Sequence, residues 1–233
     1  MSMVTVNDLN HYYGQSHTLR NVTLDIPTAS CTCLMGRNGV GKTTFAKCLM
    51  GLEQPRDGEI LFKGLQLERL PAERRAAEGI GYVPQGRQIF PLLSVEENIR
   101  TGFFSGKSKS HNIPGSIYEL FPVLGEMKNR RGGDLSGGQQ QQLAIARALV
   151  LEPVLLILDE PAEGIQPSIV QEIAAVVKML SHELNIAVLL VEQKLPLIRK
   201  VADRFAIMDR GSIVASGTMD HLDDQLVNQY LVV

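Results

Sequence analysis

Residues Gly36 to Thr44 read Gly-Arg-Asn-Gly-Val-Gly-Lys-Thr-Thr and fill the spacing G-x-x-x-x-G-K-[ST]. This is the spacing of an anion cradle. Glycines 36, 39 and 41 let the backbone turn tightly and aim its N–H groups inward, while Lys42 adds a cation and Thr43 a hydroxyl for Mg²⁺. A chance glycine turn would lack the required flanks. Here Cys31 to Met35 reads as a short buried strand before the loop, and Thr44 to Met50 as a helix after it that stops at Gly51. The start of that helix adds partial positive charge to the donors of the loop.

A second chemical group closes the most apolar strand of the chain, Val154 to Leu158, with Asp159-Glu160. In an open parallel sheet, ligands lie at the carboxyl ends of the strands. That position suits Asp159 to hold Mg²⁺ through its water shell, and Glu160 to orient and polarise an attacking water. Gln85 follows the strand Ile80 to Val83 and Pro84, where its amide can reach a metal or water beside the phosphates. A lone loop glutamine is equally a solvated one, so this role leans on the neighbouring motifs. Gln193 stands just past another carboxyl end, after the strand Ile186 to Val191.

Leu135-Ser136-Gly137-Gly138-Gln139 opens a helix that runs to Leu149. Ser136 is placed as its N-cap and two glycines bare the first turn, which makes a second anion-binding helix end. Tyr12-Tyr13-Gly14 puts an aromatic pair on a turn, either as a face for a purine ring or as packing at the sheet edge.

The elements that must hold these groups alternate between strand and helix. Val4 to Asn10 reads as an edge strand and Leu19 to Ile26 as the next; Glu59 to Phe62 is a short strand and Pro71 to Glu78 a charged surface helix. Val95 to Thr101 and the amphipathic stretch Pro167 to Leu184 are helical, with Arg204 to Met208 and Ser212 to Ala215 as the last strands. From Gly86 the composition shifts. Residues 86–151 read as a mainly helical insertion in a core of 1–85 and 152–219, followed by a short helical tail at 220–233. Lys107 and Lys109 belong to a solvated loop of that insertion, and the apolar run at 89–93 reads as a partner contact.

Composition narrows the partners. With 233 residues and 44% hydrophobic content, the chain can bury a full core as a single domain, and 23 Lys and Arg against 25 Asp and Glu give no basic field for nucleic acid. The three cysteines, at 31, 33 and 48, match no zinc spacing and read as buried, reduced thiols. No stretch approaches the length of a membrane span and no signal peptide is evident. The expectation is a cytosolic protein that touches a membrane only through partners.

With the phosphate loop, Leu-Ser-Gly-Gly-Gln at 135–139 and Leu-Asp-Glu-Pro at 158–161 in this order, the chain resembles the nucleotide-binding subunits of ABC transporters over nearly its whole length. The resemblance implies an α/β fold: a P-loop NTPase core of ABC type with an antiparallel β edge and a mainly helical subdomain. It implies ATP and Mg²⁺ sandwiched between two ATPase subunits, each phosphate loop facing the Leu-Ser-Gly-Gly-Gln of the other. Two transmembrane permease subunits and, indirectly, a solute-binding protein complete the assembly on the cytoplasmic face of the inner membrane. The isolated chain would bind ATP and hydrolyse it poorly, as a monomer or an artificial homodimer.

By position, the resemblance assigns the phosphates to Gly36, Asn38, Gly39, Gly41, Lys42, Thr43 and Thr44, and adenine stacking to Tyr13. It places Thr43, Gln85 and Asp159 at Mg²⁺, gives Glu160 the catalytic carboxylate, and sets Ser136, Gly137, Gly138 and Gln139 on the ATP of the partner. Phe90 to Leu93 falls where the family contacts its transmembrane subunits.

Two positions depart from the commonest family pattern. Gln193 replaces a His and Gln166 an Asp; glutamine donates a hydrogen bond but carries no proton or charge, so a slower site is expected. Glu-Gly-Ile-Gln-Pro-Ser at 163–168 and Val-Glu-Gln at 191–193 look like the second ATPase of branched-chain amino acid and urea importers. Segments 12–17, 36–42 and 130–142 are similar to the urea-importing member, which makes urea the first expectation and branched-chain amino acids the alternative. Rival classes are a soluble mechanical ABC-type ATPase, which would carry coiled-coil insertions or basic linkers not found here, and a low-turnover regulatory subunit, which Glu160 argues against.

Overall fold

The computed structural model describes residues 2–105 and 112–231, which leaves Lys107 and Lys109 outside the described residues. The chain runs β1 (Ser2–Tyr13), β2 (Ser16–Pro27), β3 (Cys31–Met35), α1 (Lys42–Met50), β4 (Asp57–Phe62), β5 (Leu65–Gln66), α2 (Ala72–Ala77) and β6 (Ile80–Val83). It continues with α3 (Val95–Thr101), α4 (Gly115–Leu120), α5 (Pro122–Glu126), α6 (Gly137–Leu149), β7 (Leu155–Asp159) and α7 (Pro167–His182). Last come β8 (Ala187–Val191), α8 (Leu195–Val201), β9 (Arg204–Asp209), β10 (Ser212–Thr218) and α9 (Asp224–Tyr230).

Strands β3, β7 and β8 are buried at every residue, the pattern of a parallel sheet covered on both faces. They form a six-stranded sheet of order β10-β9-β3-β8-β7-β6, parallel except for the hairpin partner β10. Alternate side chains feed two cores. Leu155, Ile157, Leu189 and Val191 pack with Phe45 and Leu49 of α1 and with Val4, Val6 and Leu9 of β1. Leu156, Leu158, Val188 and Leu190 pack on the opposite face with Leu143 of α6, Ile173 and Val177 of α7, and Ile99 of α3. Each such leucine contributes about 2 kcal/mol on burial.

A second sheet, antiparallel throughout and of order β2-β1-β4-β5, is laid over α1. This corrects the edge-strand reading of Val4 to Asn10. β1 is flanked on both sides by β2 and β4, and its alternation looked loose because register shifts interrupt both pairings. The reading of 71–78 as a charged surface helix holds for Glu73 and Arg74, which are exposed, but not for Arg75, which is wholly buried. Its Nε donates to Leu70 O at 2.8 Å, and its Nη1 donates to Cys48 O at 2.6 Å and Leu49 O at 3.0 Å. The guanidinium therefore ties down carbonyls at the open end of α1, which no residue of α1 itself can satisfy.

Helices α4, α5 and α8 and the strand β5 carry too few periodic residues to have been read. Among the described residues, no helix is long and apolar enough to cross a membrane.

Candidate active site

The carboxyl ends of β3, β6 and β7 meet at one open cleft of about 470 Å³. Tyr13, Asn38, Gly39, Gly41, Lys42, Thr43, Thr44, Gln85 and Glu160 all line it. The loop from β3 to α1 depends on glycine at its first position. Gly36 has φ 152°, and a Cβ there would lie 2.3 Å from Met208 O on β9. Gly41 ends the loop at φ 114° as the N-cap of α1 and supplies no capping side chain, so the first N–H groups of the helix remain available to an anion.

Lys42 is buried, and its Nζ folds back to donate to Gly36 O at 2.8 Å and Arg37 O at 2.9 Å, 3.7 Å from Glu160 Oε1. Burial lowers its pKa, against the opposing pull of Glu160, Asp159 and Glu192. An incoming phosphate would replace two neutral carbonyl acceptors with anionic ones and strengthen the ammonium form.

Thr43 Oγ1 donates to Asp159 Oδ1 at 3.1 Å, and the Tyr82 hydroxyl donates to Asp159 Oδ2 at 3.3 Å. Burial raises the Asp159 carboxyl above its usual range, and these two hydrogen bonds and Lys42 work against the rise. Glu160 sits at φ 48°, a left-handed conformation that costs a non-glycine residue about 1 kcal/mol. Its N–H holds it there by donating to Val191 O at 2.9 Å. Burial raises its carboxyl pKa as well, with Lys42 pulling it back. Gln85 Nε2 bridges Glu160 Oε2 at 3.2 Å and Glu163 Oε2 at 3.0 Å.

The donor set fits Mg²⁺. Thr43 Oγ1 and Asp159 Oδ1 are hard oxygen donors in mutual contact, and Thr43 lines the cleft together with Lys42 and the Glu160 carboxylate. A polyphosphate there needs a divalent counter-ion, and Mg²⁺ takes one or two protein oxygens while keeping water and phosphate as its other ligands.

Other predicted residues lie apart. Ser136, Gly137, Gly138 and Gln139 do not line the cleft; they form the start of α6, where Ser136 and Gln139 make a reciprocal capping box. Tyr13 is half exposed at the cleft, with its ring edge-on to His11 at 4.6 Å. Gln193 is exposed beyond β8, and its backbone N–H donates to Glu192 Oε1 at 2.8 Å. Gln166 is exposed at the start of α7.

Sequence reasoning missed Tyr82 and Glu163, both partners of predicted site residues. The only available signal for Glu163 was a third carboxylate shortly after Asp159-Glu160. A separate groove of about 720 Å³ is lined by Leu52, Phe90, Phe104 and Arg147 among others. Phe90 and Phe104 are exposed in it, and Leu92 is exposed nearby in sequence.

The ABC transporter family model matches residues 19–163. The chain is 38% identical to the high-affinity branched-chain amino acid transport ATP-binding protein BraG of Pseudomonas aeruginosa over 93% of each chain. It is 33% identical to the probable branched-chain amino acid transport ATP-binding protein LivF of Archaeoglobus fulgidus over 94% of each. A nucleotide-free ATP-binding cassette from an ABC transporter shares the fold at a TM-score of 0.85 and 23% identity, over 98% of this chain and 94% of that one. The chain belongs to the ABC transporter family, as an ATP-hydrolysing ATP-binding subunit related to those of branched-chain amino acid importers.

Proposed function

We propose that the cleft holds ATP and Mg²⁺ and that its hydrolysis powers import of a small solute, with branched-chain amino acids as the first reading. The carrying observation is the convergence of Lys42, the Thr43–Asp159 pair and the Gln85–Glu160 pair on one cleft. Lys42 binds the β- and γ-phosphates, Thr43, Asp159 and Gln85 hold the metal, and Tyr13 stacks on the base. The metal offsets phosphate charge when bound. Glu160 holds the attacking water in line with the γ-phosphate and draws its proton, so catalysis is positioning and charge stabilisation.

The bared helix end at Ser136 to Gln139 serves an ATP held mainly by a second ATPase subunit. Its position outside the cleft supports that reading. The groove at Phe90 and Phe104 seats the permease subunits, which keeps the chain peripheral on the cytoplasmic face of the inner membrane. Residues 86–151 form the helical subdomain that carries this contact, against a core of 1–85 and 152–219 and a tail at 220–233.

Urea is the second reading, favoured by the motif segments at 12–17, 36–42 and 130–142. The names of the relatives support amino acids instead. Uptake of labelled leucine and labelled urea, in cells lacking the gene and in cells complemented with wild type or Lys42→Ala, separates them. Loss of leucine uptake alone, restored only by wild type, supports the first reading; loss of urea uptake alone moves the chain to urea with the mechanism intact. If neither changes, import of both solutes is excluded.

A further inference from the structure

The loop after β6 turns through three successive left-handed residues: Gly86 at φ 76°, Arg87 at φ 67° and Gln88 at φ 44°. Two of them carry side chains, which this backbone region disfavours. The turn is fixed from outside. Arg147 of α6, largely buried, donates from Nη1 to Gln88 O at 2.8 Å and from Nη2 to Arg87 O at 3.3 Å. Gln88 N–H also donates to Gly86 O at 2.7 Å.

This turn gives Gln85 and Arg87 different tasks. Gln85 reaches the carboxylates of Glu160 and Glu163. Arg87 donates from Nη1 to Gln140 Oε1 on α6 at 3.3 Å and from Nη2 to the backbone oxygen of Glu163 at 3.5 Å. Its guanidinium lies against Gly137, where an added Cβ would come 3.0 Å from Nη1, and near Gly164, 3.7 Å from Nη2. Gln140 in turn donates to Gly132 O and Leu135 O, the backbone that leads into the Ser136 cap. One planar fork thus spans the start of α6 and the loop after Glu160.

We propose that Arg87 is a positioning residue that couples the two ATP sites of the assembled pair. The proposal rests on the sandwich reading above, in which Glu160 acts on the ATP in this chain's cleft and Ser136 to Gln139 act on the ATP of the partner. At 3.3 and 3.5 Å both bonds are long, so a small displacement of either segment makes or breaks them. The fork keeps both only when the two segments move together. A lysine, with one ammonium centre, cannot reproduce this two-ended geometry.

The test uses the full transport complex, purified through a tag on this chain, with ATP turnover measured against ATP concentration. Arg87→Ala is expected to lower kcat on the order of tenfold and to reduce the cooperativity of the ATP dependence. ATP affinity of the separate full-length chain, read with a fluorescent ATP analogue, stays as in wild type. Arg87→Lys fails to restore cooperativity, Gln140→Ala reproduces part of the loss, and the double variant falls no further than Arg87→Ala. Wild-type turnover and cooperativity in Arg87→Ala would overturn the proposal, as would an equal loss of ATP affinity in the separate chain. Failure of the underlying reading looks different: Glu160→Gln would keep wild-type turnover, and the coupling role would fall with it.

Discussion

Lys42 Nζ and Glu160 Oε1 stand 3.7 Å apart, both buried, one at the start of α1 and the other past the end of β7. Opposite charges at that separation stabilise each other, yet burial pushes the Lys42 pKa down and the Glu160 pKa up, so the pair holds itself together against desolvation. A carboxylate kept raised by burial and close to the phosphate-binding lysine is suited to accept a proton from water. Glu160→Gln keeps the shape and the contact to Gln85 while removing that capacity. Turnover of the assembled complex should fall about a hundredfold to ten-thousandfold, with ATP still bound. Steady-state hydrolysis and equilibrium nucleotide binding, measured side by side, check this.

Two capping boxes of the same geometry, one closed by a carboxylate and one by an amide, give an internal control. Ser94 caps α3 with Glu97, and Ser136 caps α6 with Gln139. Replacing either serine by alanine should cost about 1 kcal/mol of stability. Only Ser136→Ala should also reduce ATP turnover, because only that helix end is assigned to nucleotide. Denaturant unfolding alongside ATPase assays of both variants decides it; equal turnover in the two would remove Ser136 from the site.

The motifs with fixed spacing were legible because each demands a particular backbone. Gly36 at φ 152°, the αL residue Gly51 after α1 and the Ser136 cap all lie where the residue types placed them. So did the strands β3, β7 and β8, whose continuous apolar runs announce burial on both faces. What escaped was long-range. Arg75 looked like one more surface charge on a charged helix, and only the approach of the end of α1 makes it a buried clamp. Arg87 and Arg147 carry no motif, because their partners are backbone oxygens and an amide from segments distant in sequence. The inner place of β1 was equally hidden, since pairing partners on both sides are not written in its own alternation.

The three thiols supply a pH signature. Cys31 and Cys33 on β3 are fully buried and raised by burial, and Cys48 on α1 is pushed up to about 12 from 9.0. A thiol raised in the fold binds its proton more tightly there than in the unfolded chain. Stability from this source is therefore full below the ordinary thiol value and is lost as pH rises through the window between 9.0 and about 12. Thermal unfolding followed across alkaline pH should show wild type losing stability more steeply than Cys48→Ala. At neutral pH none of the three should react with iodoacetamide until the protein is unfolded.

Gln193 sits exposed just beyond β8, its backbone fixed by the carboxylate of Glu192, which also accepts from Lys194 N–H at 3.0 Å. The anchoring means that a replacement side chain there starts from a defined backbone rather than a free loop. Glutamine can donate to a phosphate oxygen but brings neither charge nor a transferable proton. Histidine at the same point brings both near neutral pH, and a cation facing the developing charge lowers the barrier where a neutral donor does less. Gln193→His should therefore raise turnover of the assembled complex several-fold, with the gain shrinking as pH rises past the imidazole range. An unchanged rate across that range would mean that position 193 does not reach the γ-phosphate, and that the pace of this site is set elsewhere.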